Sequence, residues 1–128
     1  MPFTRIIVQA GRPTHELHQI ADLFHQALVE EFDVPADDRF QVIEERPAGM
    51  LHYASHYQAG TRSERYTLFH ITAGKPRSSE QKRCFYQRLQ QLLHTQLALP
   101  PDDVMVVIQF TTPDDWSFSR GVMYQQEA

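Results

Sequence analysis

At 128 residues the chain has the length of one domain, and a hydrophobic share of 41% is enough for a packed core rather than a disordered chain. A net charge of −4, with 12 scattered basic residues, excludes the electrostatic footprint of a nucleic-acid binder. One cysteine, Cys84, excludes an internal disulfide framework; with no secretory signal pattern and no apolar run near the ~18 residues of a membrane span, a cytoplasmic protein with neither nucleic acid nor membrane as partner is expected.

Residues 3–9 are short and rich in β-branched side chains, which predicts a strand. The polar loop of residues 10–14 follows, with Thr14 placed to cap a helix. Leu17, Ile20, Phe24, Ala27, Leu28 and Phe32 then recur at helical spacing, and Pro35 bars continuation. Residues 40–45 close this unit as a second strand. Residues 65–72, the loop of residues 73–79, and the stripe Phe85, Leu89, Leu92, Leu93 and Leu97 repeat the same order. Ser78 with Gln81 fits a capping box at the second helix, and Pro100 follows it as Pro35 follows the first. The run Val104-Met105-Val106-Val107-Ile108 is apolar on both faces, the pattern of a strand in a covered parallel sheet.

A shift of 65 residues lays the second half over the first: Ile6 falls on Ile71, Leu28 on Leu93, Val34-Pro35 on Leu99-Pro100, Asp37-Asp38 on Asp102-Asp103, and Val42-Ile43 on Val107-Ile108. The chain is therefore read as one domain, 1–128, of two β-α-β units, about 2–63 and 64–128. The expected fold is α/β (α+β): a four-stranded, mainly parallel-paired sheet with two helices on one face. No third helix is available for the other face, so self-association is expected there, with residues 51–57 and 117–124 as candidate short strands across subunits. Asp102 and Asp103 are expected as turn residues.

These residues resemble the tautomerase superfamily, whose β-α-β unit carries an amino-terminal proline, and within it the malonate semialdehyde decarboxylase group of fused double units. The resemblance rests on Met1-Pro2 before the first strand, Val34-Pro35-Ala36-Asp37-Asp38-Arg39-Phe40, Lys75-Pro76-Arg77 before Glu80-Gln81-Lys82, and Asp115-Trp116-Ser117-Phe118, and it spans essentially the whole chain. It implies a cofactor-free homotrimer that acts on a small carboxylate substrate, by tautomerisation or by decarboxylation and hydration. It implies that the Pro2 nitrogen, freed by removal of Met1, is the acid–base group and that Asp38 assists it. Lys75 and Arg77 would bind the substrate carboxylate, where the group has two arginines, and Trp116, Phe118 and Tyr124 would wall the pocket.

Elementary chemistry supports parts of this independently. Lys75 and Arg77 precede a helix amino terminus, where free N–H groups already attract anions; lysine lacks the planar fork that arginine offers a carboxylate. Cationic neighbours and burial would lower the pKa of a terminal proline and favour a base, whereas Asp38 would raise it and favour a cationic acid; both readings stay open. A non-catalytic anion-binding or signalling protein on the same scaffold is the alternative. The pairs His15/His18 and His52/His56 lack an acidic third ligand, so no metal site is expected, and Cys84 reads as a packing residue.

Overall fold

The computed structural model describes residues 1–125, so the last three residues of the second unit lie outside the description. Six regular elements form in chain order: β1 (Pro2–Gln9), α1 (Thr14–Phe32), β2 (Phe40–Arg46), β3 (Thr67–Ala73), α2 (Ser79–Leu97) and β4 (Val104–Phe110). They make one four-stranded sheet in the order β2-β1-β3-β4. Pairing is parallel inside each unit (β1 with β2, β3 with β4) and antiparallel where the units meet, between β1 and β3.

The 65-residue offset is built into the register. Ile6 faces Ile43 in the first unit and Ile71 faces Ile108 in the second, while α1 and α2 each run for 19 residues. The central pairing is symmetric too: Pro2 faces Ala73 at one end, and Val8 faces Thr67 at the other.

Alternation along the central strands sends Thr4, Ile6 and Val8 of β1, and Thr67, Phe69, Ile71 and Ala73 of β3, to one buried face. The helices close over it. Phe24 stacks on Phe69 with ring centroids 4.8 Å apart, and Phe85 stacks on Phe32 at 4.6 Å. At about 1.5–3 kcal/mol for each fully buried large apolar side chain, this layer supplies the main drive to fold.

The opposite face carries Phe3, Phe40, Val42, Met105 and Val107, all partly exposed. Within one chain β4 is covered on its helix side alone, and the cover expected for its other side is a further subunit. As an edge strand it pairs with β3 alone; Val104, Val106 and Ile108 lean on the core, and Met105 and Val107 point the other way. The expected short strands differ. Residues 51–57 form bends and turns rather than a strand, and residues 117–124 contain one antiparallel bridge, Ser119 with Val122. That bridge closes over Arg120-Gly121, both at positive φ (60° and 68°), the geometry of a tight hairpin turn.

Two helix starts contrast. Ser78 accepts from the Gln81 amide and Gln81 bonds back, the expected box. Thr14 does not cap α1: it is the first helical residue, Pro13 holds the cap position, and no side chain bonds there. Asp103 is not a mere turn residue either. It is fully buried and accepts from both the amide and the hydroxyl of Ser63, each at 2.7 Å. Asp102 accepts from the Gly60 amide, so together the two aspartates pin the long connection that enters β3. A β-carbon at Gly60 would lie 2.8 Å from an Asp102 oxygen, so any larger residue there would have to displace that carboxylate.

Candidate active site

Where β1 begins beside the end of β3, a cavity of about 610 Å³ opens, within the usual size of small-molecule sites. Met1, Asp38, Lys75, Arg77, Phe118 and Tyr124 all line it, joined by Asp33, Asp37 and Phe40. Five side chains singled out by sequence therefore meet around one space, delivered by the start of β1, the turn before β2, the loop before α2 and the segment after β4.

The Met1 ammonium donates to Asp38 Oδ2 at 2.6 Å, and the two groups are 10% and 18% exposed. The other Asp38 oxygen, Oδ1, is buried without a hydrogen-bond partner. A buried unpaired carboxylate oxygen is costly, and here it lies in a turn that lines the cavity. Arg39 steadies that turn through Asp22 on α1, at 2.7 Å.

With Met1 in place the Pro2 nitrogen is an amide. Pro2 itself is buried, and the Met1 carbonyl accepts from the Gly74 amide at 3.2 Å. The Met1 side chain packs on Gly74; a β-carbon on that glycine would lie 2.6 Å from the Met1 methyl and from the Trp116 indole nitrogen. Gly74 is what lets both approach.

Arg77 is held from below. Its Nε and Nη2 both donate to the Phe32 carbonyl, at 3.3 and 2.9 Å, and Nη1 donates to the Lys75 carbonyl. The guanidinium also lies 5.0 Å over the Phe32 ring. Three of its five N–H groups are thereby used, leaving one on each Nη, the pair that can grip a carboxylate end-on. Burial pushes the guanidinium below its ordinary pKa and the negative charge of Asp33 pushes back; the group stays cationic. Lys75 is exposed at the rim.

The aromatic wall differs in one member from expectation. Phe118 packs against Phe40 (5.8 Å) and Tyr124 (5.5 Å). Trp116 stacks behind Phe118 at 5.7 Å and does not line the cavity, because its indole N–H is turned to Thr111 Oγ1 at 2.7 Å. It supports the wall rather than forming it. Tyr124 is fixed by its amide, which donates to the Trp116 carbonyl at 2.8 Å.

The family described as tautomerase enzyme matches residues 38–119. Two proteins of Bacillus subtilis (strain 168), named Probable tautomerase YusQ and Probable tautomerase YrdN, are each 31% identical over 121 residues; the alignments cover 94% of this chain and 95% and 93% of those proteins. The chain belongs to the tautomerase family. Within the superfamily it falls in the malonate semialdehyde decarboxylase-like group. A malonate semialdehyde decarboxylase matches with a TM-score of 0.89 and 32% identity, over 94% of this chain and 93% of that one; it was crystallised as wild type, as a mutant with its first-residue proline replaced by alanine, and inactivated, and was described as a basis for decarboxylase and hydratase activities. FG41 malonate semialdehyde decarboxylase inhibited by 3-bromopropiolate matches at 0.88 and 27% identity, over 94% and 92%. A fused 4-OT solved as a symmetric trimer shares the fold at 0.76 and 17% identity, over 94% of each chain.

Besides Val34, Pro35 and Gln125, three lining residues with side-chain chemistry of interest in this tautomerase-family protein were not assigned to the site from the sequence: Asp33, Asp37 and Phe40. Asp37 and Phe40 flank Asp38 in a segment already singled out, so proximity was the available signal. Asp33 had none in the linear pattern; its place follows from the left-handed turn that ends α1. Other candidates stay outside. His15, His18, His52 and His56 are exposed, and among the described residues no three His, Cys, Asp or Glu side chains group as a metal site. The hydrogen bond from Cys84 to Glu80 raises the thiol pKa, opposite to what a nucleophile needs.

Proposed function

We propose that this tautomerase-family enzyme, once Met1 is removed, uses the Pro2 amine to transfer protons on a small 3-oxo carboxylic acid, with decarboxylation and hydration as its chemistry. The observation that carries this reading is the 2.6 Å pair between the terminal ammonium and Asp38 at the cavity. Loss of one residue moves the terminal nitrogen back by about 3.8 Å, to Pro2, and vacates the volume of a methionine between Gly74 and Asp38. A carboxylate at that range favours a protonated amine, and a cationic proline suits polarising a carbonyl.

The steps follow from the chain's own groups. Lys75 and the two free N–H groups of Arg77 hold the substrate carboxylate, and the Pro2 ammonium donates to the 3-oxo oxygen. The bond between the α-carbon and the carboxyl carbon breaks, carbon dioxide leaves, and the electron pair forms an enol; a proton from solvent then adds at the α-carbon while the enol O–H returns its proton to the Pro2 amine. Asp38 keeps the amine charged and, for hydration, orients water through its second oxygen. Phe118, Phe40 and Tyr124 exclude bulk water, with Trp116 behind them. The open apolar sheet face is assigned to contacts within a homotrimer, in keeping with the trimeric fused 4-OT of the same fold; light scattering on the eluted protein reads that mass directly.

Tautomerisation is the second reading, favoured by the two Bacillus subtilis relatives at 31% identity. One experiment tests both. Mass spectrometry first verifies loss of Met1; a 3-oxo acid and a phenylpyruvate-type enol are then assayed across pH for the parent and Pro2→Ala. The expected result is decarboxylation that falls at high pH as the amine loses its proton, and a drop of about 10²–10⁴ in Pro2→Ala. Activity that rises through neutrality on the enol alone selects tautomerisation. A Pro2→Ala protein as active as the parent on both substrates ends the proline reading.

A further inference from the structure

Asp33 lies at the rim of the cavity but takes no part in the reaction proposed above. It ends α1 in the left-handed region, φ 53°, with its amide bonded to the Leu28 carbonyl. Aspartate is tolerated in that conformation better than most residues, which would explain it as a cap alone. The other half of the molecule argues otherwise: Ala98 ends α2 at the same φ of 53°, with its amide on the Leu93 carbonyl. The turn closes there without a carboxylate, so the turn itself does not require that of Asp33.

Its position supplies a reason for it. Arg77 grips the carbonyl of Phe32, the residue just before Asp33, so α1 brings guanidinium and carboxylate to the same edge of the cavity. No hydrogen bond joins them among the described residues, and two N–H groups of Arg77 stay available. Asp33 therefore offsets the charge of Arg77 from the side without occupying its donors. Arg77 and Lys75 bring two positive charges and Asp33 one negative, so a ligand with one negative charge completes the balance. A second negative charge would face Asp33, with Asp37 also on the rim.

We propose that Asp33 is a specificity-determining residue that restricts this cavity to singly charged carboxylates and turns away dicarboxylates and phosphate esters. The proposal rests on Arg77 as the carboxylate ligand. Asp33 is exposed, and water screens its field, so the expected discrimination is about fivefold rather than hundreds.

The test uses the assembled, Met1-free protein at low salt and neutral pH, titrated calorimetrically with propanoate and with malonate. Asp33→Ala copies the residue that ends α2, and Asp33→Asn keeps the tolerance for left-handed backbone, so one of the two retains the turn. In both variants the affinity for malonate is expected to rise about fivefold relative to that for propanoate. Malonate binding that becomes measurable only in the variants is the same result. An unchanged malonate-to-propanoate ratio in a folded variant overturns the role of Asp33 while leaving the site intact, provided Arg77→Ala loses propanoate. If Arg77→Ala binds both acids as the parent does, the carboxylate site and this proposal fall together.

Discussion

The two ends of the sheet place the same three positions side by side with opposite results. At one end stand Pro2, Asp38 and Arg77; at the other, 65 residues away in each case, stand Thr67, Asp103 and Arg12. In the second set the arginine's carboxylate and the aspartate's donors come from within the chain, and the one unmet group is Arg12 Nη2, buried without a partner. Arg12 donates to Glu16 at 3.3 Å, to Thr67 Oγ1 at 2.8 Å and to the Arg65 carbonyl at 3.1 Å. Arg65 clasps the other Glu16 oxygen at 2.8 Å and takes the carbonyls of Leu97, the last residue of α2, and of Ala98, which caps it. Ser63 gives Asp103 two donors where Met1 gives Asp38 one. A site and a structural clamp thus share one plan. What separates them is whether the arginine's carboxylate belongs to the protein, and whether the aspartate keeps an oxygen unpaired.

The largest expected effect breaks this contrast from the closed side. Arg12 is 8% exposed and Glu16 16%, so Glu16→Ala strands a buried guanidinium. Removing one partner of a buried pair costs about 3–5 kcal/mol; because Arg65 is nearly a third exposed and can rehydrate, about 2–4 kcal/mol is expected here, read from urea denaturation. Turnover per folded molecule should not change. Arg77→Ala is expected to do the reverse: about 1 kcal/mol lost with the Phe32 carbonyl contacts, and carboxylate binding abolished. Equal stability losses at the two arginines would remove the distinction between clamp and site.

Acid gives a smaller and sharper version of the same test. Burial acts to raise the Glu16 pKa, but the hydrogen bond from Arg65 and the charge and hydrogen bond of Arg12 outweigh it, and the net shift is downward from 4.5. A carboxylate held lower in the folded state stabilises fully above its unfolded value, and that stabilisation is lost as pH falls from about 4.5 through the folded value. The parent should therefore lose stability more steeply below pH ~4.5 than Glu16→Gln does. Parallel urea midpoints for the two proteins from pH 7 down to 3 would show that Glu16 carries no such linkage.

Much of this plan was legible in the sequence because it is periodic. The 65-residue shift seen in Ile6 and Ile71, or Leu28 and Leu93, placed helices and strands, and Ser78 with Gln81 marked a helix start by chemistry local to four residues. What escaped depends on contacts between distant segments. Nothing in β1 or β3 alone says that the units join antiparallel. The apolar run of β4 records which residues can be buried on both faces; within one chain only the helix side is covered. Trp116 was read as a pocket wall, and the hydroxyl of Thr111 turns its indole N–H elsewhere. Asp103 looked like its counterpart at position 38, yet residue 63 reaches it across 40 residues of chain.

The smallest effect compares the two helix starts. Ser78 Oγ accepts from the Gln81 amide at 3.1 Å and Gln81 Oε1 accepts from the Ser78 amide at 2.9 Å, so Ser78→Ala leaves the Gln81 amide to water and should cost about 1 kcal/mol. Thr14 is a cap by residue type alone, with Leu17 where a box needs Glu or Gln, and it makes no capping bond, since Pro13 precedes α1 and its carbonyl takes the Glu16 and Leu17 amides. Thr14→Ala should therefore change the urea midpoint by less than the equivalent of about 0.5 kcal/mol. A loss at Thr14 equal to that at Ser78 would mean that the first helix carries a side-chain cap in solution, and that the two units are more alike at their helix starts than at their arginines.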